Sequence, residues 1–131
     1  MDLYREEILE HWQNPQNFGV MRAADLVIDQ INPLCGDSLT FYFKISGGKV
    51  ENVSFIGSGC AISIASASIL SDNIKGKSVK VVSKLTGEKV LELLGGPLRR
   101  QGSGGQAVFP PARLKCAFLS LEAVKRIGEQ N

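Results

Sequence analysis

The chain is poor in residues that would make its chemistry obvious: it holds one histidine, one tryptophan and three cysteines in 131 residues, and no two cysteines form a CxxC pair. Without such a pair, spacing alone does not mark a metal site. An excess of one charge is missing too. The formal net charge is +2 and the basic residues are scattered, so electrostatics supplies neither a nucleic-acid surface nor a membrane surface. Long hydrophobic runs are also absent. The first residues, Met1-Asp2-Leu3-Tyr4-Arg5-Glu6-Glu7, carry charge where a secretory signal needs an apolar stretch, and no later segment has the length of a membrane span. A cytoplasmic location is expected. No internal repeat, heptad run or low-complexity tract interrupts the chain. With 44% hydrophobic and 21% charged residues, residues 1–131 are expected to form a single domain with one core.

In a reducing compartment an odd number of cysteines reads as metal-binding or nucleophilic thiols more readily than as a disulfide framework, although any one free cysteine can equally be a small buried hydrophobe. His11, the lone histidine, shares a helical face with Tyr4, Ile8 and Trp12, in a helix that Asp2 can cap and Asn14-Pro15 ends. On that face it reads as a packed or hydrogen-bonded histidine rather than a ligand or general base, which argues against a Cys-His protease.

Beyond this helix, Leu26-Val27-Ile28 is a candidate first strand, broken at Asn32-Pro33. Leu39, Phe41, Phe43 and Ile45 then alternate with Thr40, Tyr42 and Lys44, the period of a half-buried strand. Gly47-Gly48 supplies a turn and Val50 to Ile56 returns as the partner, giving an antiparallel hairpin within a three-stranded sheet. The small residues from Cys60 to Lys75 fit a closely packed helix. Ser78 and Thr86 are candidate caps of two shorter helices, the second carrying Val90, Leu91 and Leu94. The glycine content from Gly95 to Gly105 predicts a mobile loop. Pro110-Pro111 opens the last helix, whose apolar stripe is Leu114, Ala117, Phe118, Leu121 and Val124. Cys116 falls well off that stripe and is not expected in the core. The fold class is therefore α+β, with helices packed on one face of a three-stranded antiparallel sheet.

The three thiols each stand in a turn-forming setting. Gly57-Ser58-Gly59-Cys60 brings one out of a glycine-rich turn to a helix start, where unpaired N–H groups favour the thiolate. Cys35-Gly36-Asp37 and Gly59-Cys60 flank paired strands, so both lie at one edge of the sheet. Cys116 has Arg113 and Lys115 beside it, an electropositive surrounding of the kind that depresses a thiol pKa. Cys35, Asp37, Cys60 and Cys116 together are a ligand set that tetrahedral zinc or an iron–sulfur cluster would accept. Asp37 is as readily a turn former.

At these residues the sequence resembles the U-type iron–sulfur cluster assembly proteins, a family that includes IscU, the N-terminal part of NifU, and SufU. The resemblance runs through Leu3-Tyr4-Arg5 to Asn14-Pro15, Asn32-Pro33-Leu34-Cys35-Gly36-Asp37, Gly57-Ser58-Gly59-Cys60-Ala61-Ile62-Ser63, Ala65-Ser66-Ala67-Ser68, and Pro111-Ala112-Arg113-Leu114-Lys115-Cys116-Ala117-Phe118-Leu119. Lys115 stands where IscU-type proteins have histidine. That lysine, and the long interval from Cys60 to Cys116, resemble SufU.

Likeness to SufU implies a SufE/NifU-like fold with a metal site at one sheet edge, and Zn2+ on Cys35, Asp37, Cys60 and Cys116. Arg113 and Lys115 would offset part of the net negative charge of that site. It implies sulfur transfer, at most a zinc-dependent sulfurtransferase activity, in which Cys116 accepts persulfide sulfur from a pyridoxal-phosphate cysteine desulfurase of SufS-like type. Downstream iron–sulfur carrier or scaffold proteins are further implied partners. The alternative is an IscU-like scaffold whose same four residues hold a transient [2Fe-2S] cluster. A metal-free thiol enzyme using Cys116 and Lys115 is the third reading.

Overall fold

The computed structural model describes residues 3–33, 36–94 and 111–130, the side chains of residues 3–7, 91, 111–114, 129 and 130 excepted. In chain order the elements are α1 (Leu3–Gln13), β1 (Leu26–Asn32), β2 (Asp37–Ser46), β3 (Lys49–Ser58), α2 (Ala61–Ile74), the short α3 (Val79–Ser83) and α4 (Gly87–Leu93), and α5 (Pro111–Lys125), with a closing 3-10 turn at Arg126–Gln130. The strands form one antiparallel sheet in the order β1-β2-β3. As expected, the fold is α+β.

Alternation along β2 sets the two faces of the sheet. Leu39, Phe41 and Phe43 are buried while Thr40, Tyr42 and Lys44 between them are half-buried. Cross-strand pairing extends the inner row, with Ile28 opposite Phe41 and Phe41 opposite Phe55. The Phe41 and Phe55 rings stack at 5.6 Å between centroids, a contact worth about 1 kcal/mol beyond the area it buries. Helix α5 packs on β1 and β2, and α2 on β3. Val27 and Ile31 on the other face of β1 are exposed. The hairpin turns at Gly47 and Gly48, whose φ angles of +60° and +76° belong to the primed turn that matches strand twist and favours glycine at both positions.

Helix α2 lies between α1 and α5, and its buried residues include Ser63, Ser66, Ser68 and Ser71 as well as Ala65, Ala67 and Leu70. Small side chains let the neighbouring backbones approach, and each buried hydroxyl needs a partner. Ser66 Oγ donates to the Ala117 carbonyl of α5 at 2.7 Å and lies 2.9 Å from Ser120 Oγ. Ser68 Oγ accepts from the Gln16 backbone N–H and lies 2.6 Å from His11 Nδ1. His11 is thus the hydrogen-bonded, half-buried residue that its helical position suggests. Ser78 and Thr86 cap α3 and α4, accepting from Val81 and Lys89 N–H respectively.

Two expectations are corrected here. Trp12 is 44% exposed, not part of the inward face of α1; it lies about 70° around the helix from the line midway between Ile8 and His11, which face inward among the described side chains. Cys116 is not off the core: only 4% of it is exposed. The buried arc of α5 is wider than its apolar stripe, because the helix touches both the sheet and α2. The added part of the arc carries Cys116, Ser120 and Ala123, all buried and spaced i, i+4, i+7, but too small or polar to register as a hydrophobic face. The expected cap Asp2, the segment from Gly95 to Gly105 and Pro110 lie outside the described residues, as does the Leu91 side chain. Among the described residues, no helix is long and apolar enough to cross a membrane.

Candidate metal centre

Pairing of Asn32 with Asp37 and of Ser38 with Ser58 puts the end of β1, the start of β2 and the end of β3 at one end of the sheet. Asp37 begins β2 there. Cys60 follows β3 as the N-cap of α2, with extended backbone at φ −74° and ψ 168°. The second turn of α5 crosses the same end and adds Cys116. One ligand atom from each of Asp37, Cys60 and Cys116 lies within 4.8 Å of the others. Three elements far apart in sequence thus converge on one point.

Asp37 is held in place by the turn opposite. Only 5% of it is exposed, and its Oδ2 accepts a 2.6 Å hydrogen bond from the fully buried Ser63 hydroxyl. Ser63 Oγ is also 3.7 Å from Cys60 Sγ and 3.4 Å from the Cys116 carbonyl oxygen. Gly59 faces the carboxylate directly: a Cβ there would come within 2.7 Å of Asp37 Cγ and 2.8 Å of Oδ1. Ser63 and Gly59 carried no assigned role in the sequence. The available signal for Ser63 was its position three residues after Cys60, which puts both on one side of the helix start.

Without a cation, the surroundings hold the Cys116 thiol protonated. Burial pushes its pKa up from 9.0 to about 12, the neighbouring Cys60 and then the Asp37 carboxylate add to the rise, and Ser63 partly opposes it. This reverses the expected depression of that pKa. Lys115 is exposed, so its ammonium is solvated, whereas the Cys116 side chain points into the protein against two acidic groups. A divalent cation among the three ligand atoms would invert the balance and favour the thiolate.

The donor set suits zinc. With Zn–S near 2.3 Å and Zn–O near 2.1 Å, tetrahedral ligand atoms stand roughly 3.6–3.8 Å apart, so a contraction of about 1 Å at most brings the observed atoms to that spacing. Asp37, Cys60 and Cys116 are therefore able to hold the ion, with a fourth ligand to complete it. Cys35, the remaining expected ligand, and the side chain of Arg113 lie outside the described residues. Lys115 lines a cleft of about 300 Å³ together with Ile31, Asn32, Pro33, Leu119 and Glu122.

Comparison with known proteins gives a consistent result. A family model described as NifU-like N terminal domain matches residues 3–127. A zinc-dependent sulfurtransferase SufU of Bacillus subtilis is 37% identical, the match covering 95% of this chain and 88% of that protein. An iron-sulfur cluster assembly scaffold protein named IscU from Archaeoglobus fulgidus is 33% identical over 95% of this chain and 73% of its own length. Among solved structures, a putative scaffold protein for the SUF system from Fervidobacterium islandicum superposes with a TM-score of 0.72 at 24% identity, covering 92% of each chain. A NifU-like N-terminal protein from Brucella abortus has a TM-score of 0.72 at 23% identity, covering 97% of this chain and 92% of that one. At those identities the two structures show the shared fold.

Proposed function

Because the chain belongs to the NifU-like N-terminal domain family, we propose that it acts in iron–sulfur cluster assembly as a single cytoplasmic domain, accepting persulfide sulfur from a pyridoxal-phosphate cysteine desulfurase of SufS-like type at a zinc site of Cys35, Asp37, Cys60 and Cys116. The observation that carries this reading is the convergence of Asp37, Cys60 and Cys116 within 4.8 Å, one carboxylate and two thiols; Cys35, two residues before Asp37 in the sequence, is the proposed fourth ligand. The 37% identity to a protein named as a zinc-dependent sulfurtransferase supports the choice of metal and reaction.

Zinc, when bound, keeps the site thiols deprotonated at neutral pH. In the transfer step the Cys116 thiolate attacks the outer sulfur of the desulfurase persulfide. The donor S–S bond breaks, the desulfurase cysteine leaves as a thiolate, and Cys116 carries the new S–S bond, so no external oxidant or reductant is consumed. Cys116 is the proposed acceptor because of its placement in α5 beside Lys115, with the thiolate as the attacking form. Its burial requires the desulfurase to open the covering side chains. Cys60 is half-buried and is the competitor for the same role. Lys115, and Arg113 two residues before it, are proposed to offset the net negative charge of the site.

A second reading is favoured by the 33% identity to scaffolds named IscU: the same residues would hold a [2Fe-2S] cluster as cargo and pass it to carrier proteins. Metal analysis of protein purified without added zinc, followed by sulfur transfer from a desulfurase, tests the choice. About one zinc per chain and stimulated desulfurase turnover are expected. Iron with the absorption of a [2Fe-2S] cluster and no stimulation would establish the scaffold reading instead. Absence of any metal, together with rapid native alkylation of all the thiols, would remove the site.

A further inference from the structure

We infer that Ser63 and Gly59 are positioning residues for Asp37, a socket that sets the direction in which its carboxylate meets the metal; this rests on the metal site proposed above. The geometry has two independent parts. Ser63 Oγ donates to Asp37 Oδ2 at 2.6 Å, with the hydroxyl fully buried and the carboxylate 5% exposed. Such a short bond to an ionised acceptor is of the stronger, charge-assisted kind. It fixes the Oδ2 side of the carboxylate. Gly59 then makes room: a Cβ would stand 2.7 Å from Asp37 Cγ and 2.8 Å from Oδ1, closer than carbon and oxygen pack. Its φ is not in the left-handed region that alone would call for glycine. Space for the carboxylate is therefore the reason for glycine at this position.

The consequence is chemical. Carboxylates bind zinc through one or two oxygens, and a hydrogen bond to one of them fixes the other's direction while tempering its basicity. The turn that delivers Cys60 also aims Asp37, so two ligands from different strands share one support. Ser63 acts on the metal chiefly through Asp37, its shortest contact, and is not itself a ligand.

Zinc affinity, measured by competition with a chromophoric chelator, tests this on the full chain. Ser63→Ala should weaken zinc binding roughly 10–100-fold, the usual effect of removing a partner that orients a ligand. Gly59→Ala, which deletes no hydrogen-bonding group but forces the Asp37 side chain out of its place, should also weaken it and keeps the test available if Ser63→Ala folds poorly. In an Asp37→Ala background both substitutions should lose their effect, and cobalt in place of zinc should give the same ligand-field spectrum for Asp37→Ala with or without Ser63→Ala. Full additivity of Ser63→Ala or Gly59→Ala with Asp37→Ala would overturn the inference while leaving the metal site standing. Failure of the wild-type chain to bind zinc would overturn the site and the inference together.

Discussion

The two described arms of the metal centre bring in their thiols in opposite ways. Cys60 stands at the N-cap of α2, half-buried, on a turn whose glycine and serine also hold Asp37. Cys116 lies inside α5, 4% exposed, with Ser120 and Ala123 buried on the same side of the helix. One thiol is presented by a turn and the other is sealed by helix packing. The β3–α2 arm is therefore built to organise ligands, while the α5 arm protects a thiol whose pKa rises to about 12 when no cation is present. A thiol buried and protonated in this way is shielded from adventitious oxidation.

Substitution of each thiol probes this contrast most severely. Cys116→Ser should abolish persulfide accumulation, read by mass spectrometry after reaction with a desulfurase, whereas Cys60→Ser should first lose zinc, read by metal analysis. Native-rate persulfide formation on the Cys116→Ser protein would move the acceptor role to Cys60. Metal removal should come next in size. If zinc is present at a thousandfold excess over its Kd, stripping it costs about 4 kcal/mol of stability, a fall in Tm on the order of 10 °C for a chain of this length. Calorimetry with and without chelator measures it, and an unchanged Tm would dissociate the metal from folding.

The metal-free protein should separate the arms by reactivity. At pH 8 Cys116 should alkylate more than about tenfold slower in the folded chain than in urea, since its raised pKa leaves little thiolate and packing blocks access. The sign of the pH effect follows. Folding favours the protonated thiol, so its contribution to stability is complete below about pH 9 and is lost as the pH rises towards 12. Thermal melts of the chelated protein across that range should fall more steeply for wild type than for Cys116→Ala. The mildest test acts on the joint between the arms. Ser66→Ala removes the hydroxyl that donates to the Ala117 carbonyl and pairs with Ser120, at a cost of about 1 kcal/mol. If Cys116 owes its protection to this packing, the substitution should also speed its alkylation; an unchanged rate would show that the sheet alone seals it.

Much of the fold could be read from the residues because it depends on local periodicity and local caps. The alternation of Leu39, Phe41 and Phe43 selects one face of a strand whatever lies against it, Gly47-Gly48 fits the one turn that needs two positive φ angles, and Ser78 and Thr86 bond within their own helix starts. The order of the three strands follows, and with it the placement of Asp37 and Cys60 at one end of the sheet. What tertiary structure alone decided is the environment of Cys116. Its burial comes from a second neighbour, α2, that meets α5 through Ser66, Ser120 and small side chains, and no hydrophobic period records a face made of such residues. The same holds for Ser63 and Gly59. A hydroxyl that donates to a carboxylate 26 residues away in sequence, and a missing Cβ that leaves that carboxylate its space, have meaning only once β2 and the α2 start are side by side.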